Sequence, residues 1–202
     1  MFDLLIIGGG ASGISCAMVL GSAQNMPFVK DKKIGIIMHQ KGSALQDAIF
    51  YNSYGVSNGK LGSEVLSETA EQLRTTYPEI HQLSAEKVTK IVKNSDGFDI
   101  ITTSNNYQSK IVVVAIGSSN LFNIDGLLEF VVPHAKTSSD KNRIQLVNVD
   151  HLIYEGMYVA GTLAGHRSQL SIASGSGAAV ATDILTLWNN GVHTHAHDVV
   201  KK

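Results

Sequence analysis

One stretch of the chain has residue types at a spacing that could do chemistry: Gly8-Gly9-Gly10-Ala11-Ser12-Gly13. In such a GxGxxG pattern the first glycine permits a tight turn, the second lets a pyrophosphate approach the backbone, and the third allows close helix-to-strand packing. Amides at the start of the following helix, those of Ala11 and Ser12 among them, then face the phosphates. A glycine turn that merely joins a strand to a helix is the bland alternative. The apolar run before the glycines and the helical pattern after them favour dinucleotide binding. The pattern ordinarily brings an Asp or Glu about 20 residues further on, for the adenosine ribose hydroxyls. Here no carboxylate occurs between Asp31 and Asp47, and Met38 or His39 stands in the expected place. Ribose recognition therefore falls to His39, Gln40 or backbone groups.

Other chemically capable side chains have plainer readings. Cys16 is the only cysteine, which excludes an internal disulfide, a CxxC redox pair and a multi-cysteine zinc site. On the helix after the glycines it reads as a small core residue rather than a reactive thiol. His193, His195 and His197 alternate at a polar terminus, where disorder is usual, and no metal site is assigned to them. His134, His151 and His166 have no ligand spacing around them and stay unassigned, although His166 and Arg167 could line the approach to the last helix. Gly175 and Gly177 follow no strand, so they read as close-packing positions and not as a second phosphate loop. Trp188 reads as a packing anchor.

These residues need elements to position them. Residues 4–7 form a short, unbroken apolar run, the pattern of a parallel strand buried on both faces, and residues 11–22 follow as a helix. A second buried strand at 34–38 completes a βαβ unit, whose crossover is right-handed in nearly all cases. Residues 61–74 have helical spacing. Residues 88–92, 98–103 and 107–116 are β-rich with turn signals between them, and the last ends in a buried run at 111–116. Residues 118–155 are mixed; a strand at 157–160 and a closing helix at 169–189 follow. The expectation is a three-layer, Rossmann-like α/β domain with a parallel sheet and a small β-rich insertion. It spans residues 1–202, with 192–202 as a flexible tail.

Composition narrows the partners. The formal net charge is −1 over 202 residues, with 16 Lys and Arg against 17 Asp and Glu and no basic block, so neither nucleic acid nor an anionic membrane is an expected partner. A chain of this length buries enough surface to need no staple. The N-terminus lacks the basic and apolar regions of a signal peptide, and no apolar run was expected to approach the length of a membrane span. Together with the single cysteine, this leads to the expectation of a cytoplasmic protein.

Further motifs decide which dinucleotide. Val112-Val113-Val114-Ala115-Ile116-Gly117, then Gly156-Met157-Tyr158-Val159-Ala160-Gly161, then Gln169 with Gly175 and Gly177, occur in the order seen in two-dinucleotide-binding-domain flavoproteins. The chain resembles the FAD domain of the thioredoxin reductase family over nearly its whole length. Asn52-Ser53-Tyr54-Gly55, with Gly62, Glu64 and Leu66 after it, is similar to that family's Asn-Trp-Pro-Gly loop and helix, and Gln169 to its glutamine beside the isoalloxazine. The resemblance implies FAD as cofactor, held by Gly8, Gly10, Ala11, Ser12, Gly13, Met38, His39, Gln40, Asn52, Val88, Ala115, Gly117, Gly161, Thr162, Gln169 and Leu170. It also implies a homodimer. Thr162 stands where the family usually has Asp, giving up a charge-assisted contact. In the family a complete NADPH domain carrying CxxC separates the two halves of the FAD domain, whereas here only residues 118–155 do, too few for a second doubly wound domain. Thioredoxin reductase activity is accordingly excluded.

Two function classes remain open at this point. One is a flavin-dependent oxidoreductase taking electrons from a small-molecule substrate or an electron-transfer partner protein. The other is a non-catalytic FAD-binding sensor or subunit. A nicotinamide-binding Rossmann protein is a third, which the Gly156 to Gly161 segment and the Gln169 helix argue against. No catalytic residue is assigned; the helix starting near Gln169 would turn its positive end toward the flavin edge where charge collects on reduction.

Overall fold

A run of apolar residues without polar alternation suits only a strand covered on both faces. The computed structural model, which describes residues 1–39, 42–83 and 86–197, puts the first such run at the sheet's centre. β1 (Phe2–Ile7) turns through the glycines into α1 (Ala11–Ser22), and the chain returns as β2 (Ile34–Ile37), parallel to β1 with Ile7 opposite Ile37. A short hairpin of β3 (Ile49–Phe50) and β4 (Lys60–Leu61) leads to α2 (Gly62–Thr76), where Glu64 reaches back to accept the Leu61 amide. β5 (His81–Leu83) lies beside β2. β6 (Val88–Asn94), β7 (Gly97–Thr102) and β8 (Asn106–Val114) form an antiparallel meander, and the far half of β8 runs on parallel to β1. β9 (Val131–Pro133) and β10 (Ile144–Leu146) make a separate ribbon. β11 (Leu152–Tyr154) and β12 (Met157–Val159) complete the sheet, and α3 (Leu170–Trp188) packs against α1.

The sheet order β11-β12-β8-β1-β2-β5 separates two apolar layers. Leu4, Ile6, Ile111 and Val113 face one way, onto Ile14, Ala17 and Leu20 of α1 and Val180, Ala181 and Ile184 of α3. Leu5, Ile7, Val112 and Val114 face the other, onto Ile91, Phe98 and Ile100 of the meander. This is the expected three-layer, Rossmann-like fold. Its consequence for function lies in the register: Ile7 aligns with Ile37 on one side and Val114 on the other, and Val114 with Val159. The turns that leave β1, β2, β8 and β12 therefore emerge along one edge, the carboxyl ends of the parallel strands, where open α/β sheets bind ligands.

Several expectations change. The short strands β3, β4, β5, β9, β10 and β11 carry too few residues for a periodic signal, and only the pairing reveals them. Of the two glycines read as close-packing positions, only Gly177 is one, against α1: a Cβ there would collide with the Ser12 carbonyl, whereas among the described residues one on Gly175 would meet nothing within 4 Å. Of residues 192–197, expected as part of a flexible tail, most are exposed and two pack on the body of the domain. Thr194 is buried and bonds Thr186 and Asn189, and Ala196 joins the core, while residues 198–202 lie outside those described. α3 is, by length and composition, apolar enough to cross a membrane, which the reading of apolar runs had not anticipated. Its face of Ser176, Gly177, Val180, Ala181, Ile184 and Leu185 is buried.

Candidate functional site

The glycine turn works through what its side chains leave out. Gly8 sits at φ +116, and a Cβ on it would lie 2.5 Å from the Ala115 carbonyl oxygen; one on Gly13 would strike the Gly8 carbonyl. These two contacts draw α1 down onto the ends of β1 and β8. Gly10 differs. It is the N-cap of α1 in ordinary extended geometry, and among the described residues a Cβ there would meet nothing nearer than Ser43 Oγ at 3.8 Å. The Ile14 amide donates to the Gly10 carbonyl at 3.0 Å, so the amides of Ala11, Ser12 and Gly13 precede the helix's own hydrogen bonding. Open space over a positive helix end with no acidic residue in its first turn is what a diphosphate requires.

Ser12 draws the second half of the chain to the same place. Gly161, at φ +73, approaches it so closely that a Cβ would lie 2.7 Å from Ser12 Oγ, and Gly177 of α3 rests on the Ser12 carbonyl. A Cβ on Gly117 would lie 3.9 Å from Thr162 Oγ1. The sequence-assigned positions Gly8, Gly10, Ala11, Ser12, Gly13, Ala115, Gly117, Gly161 and Thr162, spread over more than 150 residues of sequence, are thus gathered round one helix end.

The Gly161–Thr162 turn is held by side chains that the sequence left unassigned. His134 is buried, and its Nδ1 accepts the Lys136 amide at 3.1 Å. Its Nε2 then carries the hydrogen and donates to the Thr162 carbonyl at 3.1 Å. On the other side the Gly161 amide donates to Ser176 Oγ at 2.8 Å. His151 Nε2 lies 3.0 Å from that hydroxyl and 3.0 Å from His166 Nε2. Burial lowers the pKa of His151, against the pull of the Asp183 and Asp150 carboxylates. Burial also lowers that of His166, with His151 and Lys136 adding to the effect. Asp183 is raised, first by burial. No spacing rule finds these histidines, because they come from three separate segments.

The remaining assigned residues are placed less tightly. Met38 is partly buried and packs its side chain on the helix-side core; of the groups to which ribose recognition falls, His39 is exposed and Gln40 lies outside the described residues. Val88 buries its side chain in the meander-side core, and Asn52 stands exposed between β3 and β4. Gln169 caps α3 ahead of Leu170, with no acidic residue in that helix's first turn either. Cys16 is fully buried, which pushes its thiol pKa far up and leaves it inert. The rings of His193, His195 and His197 neighbour one another in sequence, and among the described residues no group of three acidic, His or Cys side chains forms a metal cluster. The open cradle over Gly10, the helix amides and the Thr162 hydroxyl fit the expected FAD. The absence of a carboxylate at both 38 and 162 is the one departure.

Comparison with known proteins agrees with the fold. The family described as pyridine nucleotide-disulphide oxidoreductase matches residues 2–174. A ferredoxin–NADP reductase from Streptococcus sanguinis (strain SK36) is 30% identical over 122 residues, which is 58% of this chain and 35% of that protein. The chain thus spans about a third of the length of the curated relatives it matches. Among solved structures, a thioredoxin reductase from Gloeobacter violaceus superposes with a TM-score of 0.73 at 12% identity, covering 99% of each chain. Lactococcus lactis thioredoxin reductase gives 0.70 at 13% identity, covering 94% of this chain and 100% of that one.

Proposed function

The chain belongs to the pyridine nucleotide-disulphide oxidoreductase family, and on that premise we propose that it is an FAD-binding oxidoreductase, taking electrons from a small substrate or a partner reductase. The observation that carries this reading is the convergence of the Gly8–Gly13, Gly117 and Gly161–Thr162 turns on the open N-terminus of α1. Bound FAD would supply a reversible two-electron acceptor. The chain's own part is to bind and orient it. Amides of α1 hold the diphosphate, Ser12 and Gly161 keep the two halves of the cradle in contact, and Thr162 offers a hydroxyl beside Gly117. The uncompensated positive end of α3 beyond Gln169 favours negative charge placed there.

Residues 118–155 supply the ribbon of β9 and β10 together with β11, and no second dinucleotide-binding unit. The only thiol, Cys16, is buried. Thiol-disulfide chemistry therefore lacks its groups in this chain, and residues 118–155 contain one glycine, Gly126, and one arginine, Arg143, so they have neither a glycine-rich phosphate loop nor an arginine cluster to hold a nicotinamide nucleotide against a flavin. Correct positioning can supply about 7 to 11 kcal/mol of such a barrier. NADH or NADPH should consequently reduce bound flavin slowly and without saturation, while a chemical reductant or light reduces it readily. The ferredoxin–NADP reductase relatives support an external electron-transfer partner. A homodimer and a cytoplasmic setting are part of the same reading, the latter supported by the single cysteine.

The decisive experiment is the visible spectrum of freshly purified protein with chromatography of the released cofactor, followed by anaerobic stopped-flow reduction. FAD with turnover supports the oxidoreductase; tight FAD that no donor turns over favours the sensor or subunit. A hyperbolic dependence of flavin reduction on NADPH at several per second, within the usual enzyme range, would reveal a nicotinamide site and overturn the partner reading.

A further inference from the structure

His151 and His166 meet nitrogen to nitrogen. Their Nε2 atoms are 3.0 Å apart while the ring centroids are 5.1 Å apart, so the rings point at each other and are not stacked. A neutral pair in that geometry is satisfied by one N–H and one lone pair. One further proton leaves the bond in place as N–H+···N; only a second, which charges both rings, sets N–H against N–H, removing the bond and adding like-charge repulsion. The same His151 Nε2 lies 3.0 Å from Ser176 Oγ, the acceptor of the Gly161 amide. Having a single hydrogen or a single lone pair, that nitrogen cannot serve both neighbours equally, so the proton count of the pair sets whether the Ser176 hydroxyl donates to His151 or accepts from it while it accepts the Gly161 amide. We propose that His151 and His166 form a proton-sensitive latch on the Gly161–Thr162 turn, which shapes the turn for a flavin dinucleotide while the two Nε2 atoms share a hydrogen and lets the turn go when acid protonates both rings.

The backbone of His151 is pinned, so the latch cannot simply swing away. Its amide donates to Asn148 Oδ1 at 3.2 Å, and its carbonyl accepts the Val159 amide at 2.8 Å, two residues before Gly161. The charged groups facing the pair are Asp183 from α3 and Asp150 beside His151, which favour its protonation, and Lys136 from the β9–β10 turn, which opposes that of His166. Burial outweighs the carboxylates, so release falls below the ordinary histidine range near pH 6.5. His134 lies outside the latch: its two nitrogens are already occupied by Lys136 and Thr162.

The ligand side of the proposal rests on the FAD reading; the latch itself does not. Two readouts keep them apart: the Gly161 amide resonance of the FAD-free protein between pH 5 and 8, and the FAD dissociation constant over the same range. The wild-type Gly161 amide should titrate with a midpoint below 6.5, and FAD should weaken about tenfold toward pH 5, the size of one hydrogen bond. In His166→Gln, which keeps a donor and an acceptor but does not titrate, both dependences should vanish. His151→Asn, suited to the left-handed backbone at φ +69, should behave likewise. A Gly161 amide indifferent to pH, a pH dependence that survives both variants, or FAD affinity that stays flat while the amide titrates would overturn the latch. FAD binding at no pH would refute the flavin reading, and the amide would still decide the latch.

Discussion

Two turns flank the N-terminus of α1, and they are built on opposite principles. The turn before it is defined by missing side chains: Gly8 and Gly13 touch carbonyls directly, and Gly10 leaves a space. The turn after β12 is defined by side chains that grip it: His134 on the Thr162 carbonyl, and Ser176 backed by His151 and His166 on the Gly161 amide. A cradle made of absences tolerates no addition, and one made of hydrogen bonds responds to proton count. The first should therefore behave as a rigid dock, the second as an adjustable clasp.

The sharpest way to break the contrast is Gly10→Leu. Among the described residues a Cβ there meets only Ser43 Oγ, in ordinary contact, so thermal stability of the apoprotein should hold while FAD content falls to nothing, read by spectrum and differential scanning fluorimetry. Retained flavin would remove the dock from α1. Next comes Gly177→Val, which drives a branched side chain into the Ser12 carbonyl where α3 meets α1. Chemical denaturation should report a loss of about 3 kcal/mol, at the upper end of overpacking.

A carboxylate placed on the clasp should help. Thr162→Asp is expected to tighten FAD by an amount on the order of 1 to 3 kcal/mol, measured by titration, since a charged hydrogen bond replaces a neutral one. Met38→Glu should not reproduce this, because that side chain packs on the core; a stability loss of about 1 to 3 kcal/mol is expected instead.

The smallest effect is on stability against pH. Burial holds the His151 and His166 pKa values below the ordinary 6.5. As pH falls through 6.5 the unfolded chain takes up protons first, so stability is full above that value and declines until the folded-state pKa values are passed. Asp183, whose pKa is raised, acts oppositely, but only nearer its ordinary carboxylate range. Urea unfolding between pH 7.5 and 5 should show the decline, and His166→Gln should reduce it.

The amino-acid sequence alone determined the dock. Gly8 to Gly13, the buried runs of β1, β2 and β8 and the helices beside them are local patterns, because an all-apolar strand and a glycine turn are each dictated by neighbours within a few residues. It also determined that no CxxC pair exists, since that is a matter of counting. Only the tertiary structure decided the clasp. His134, His151, His166 and Ser176 have no spacing that marks them, and each meets its partner across 15 to 28 residues of chain. Met38 shows the converse: its sequence position is where a ribose-binding carboxylate is usual, and only the packing shows its side chain turned onto the helix-side core. Local propensity is a property of neighbours in sequence, while a hydrogen bond between distant segments exists only once the sheet has set the register that brings them together.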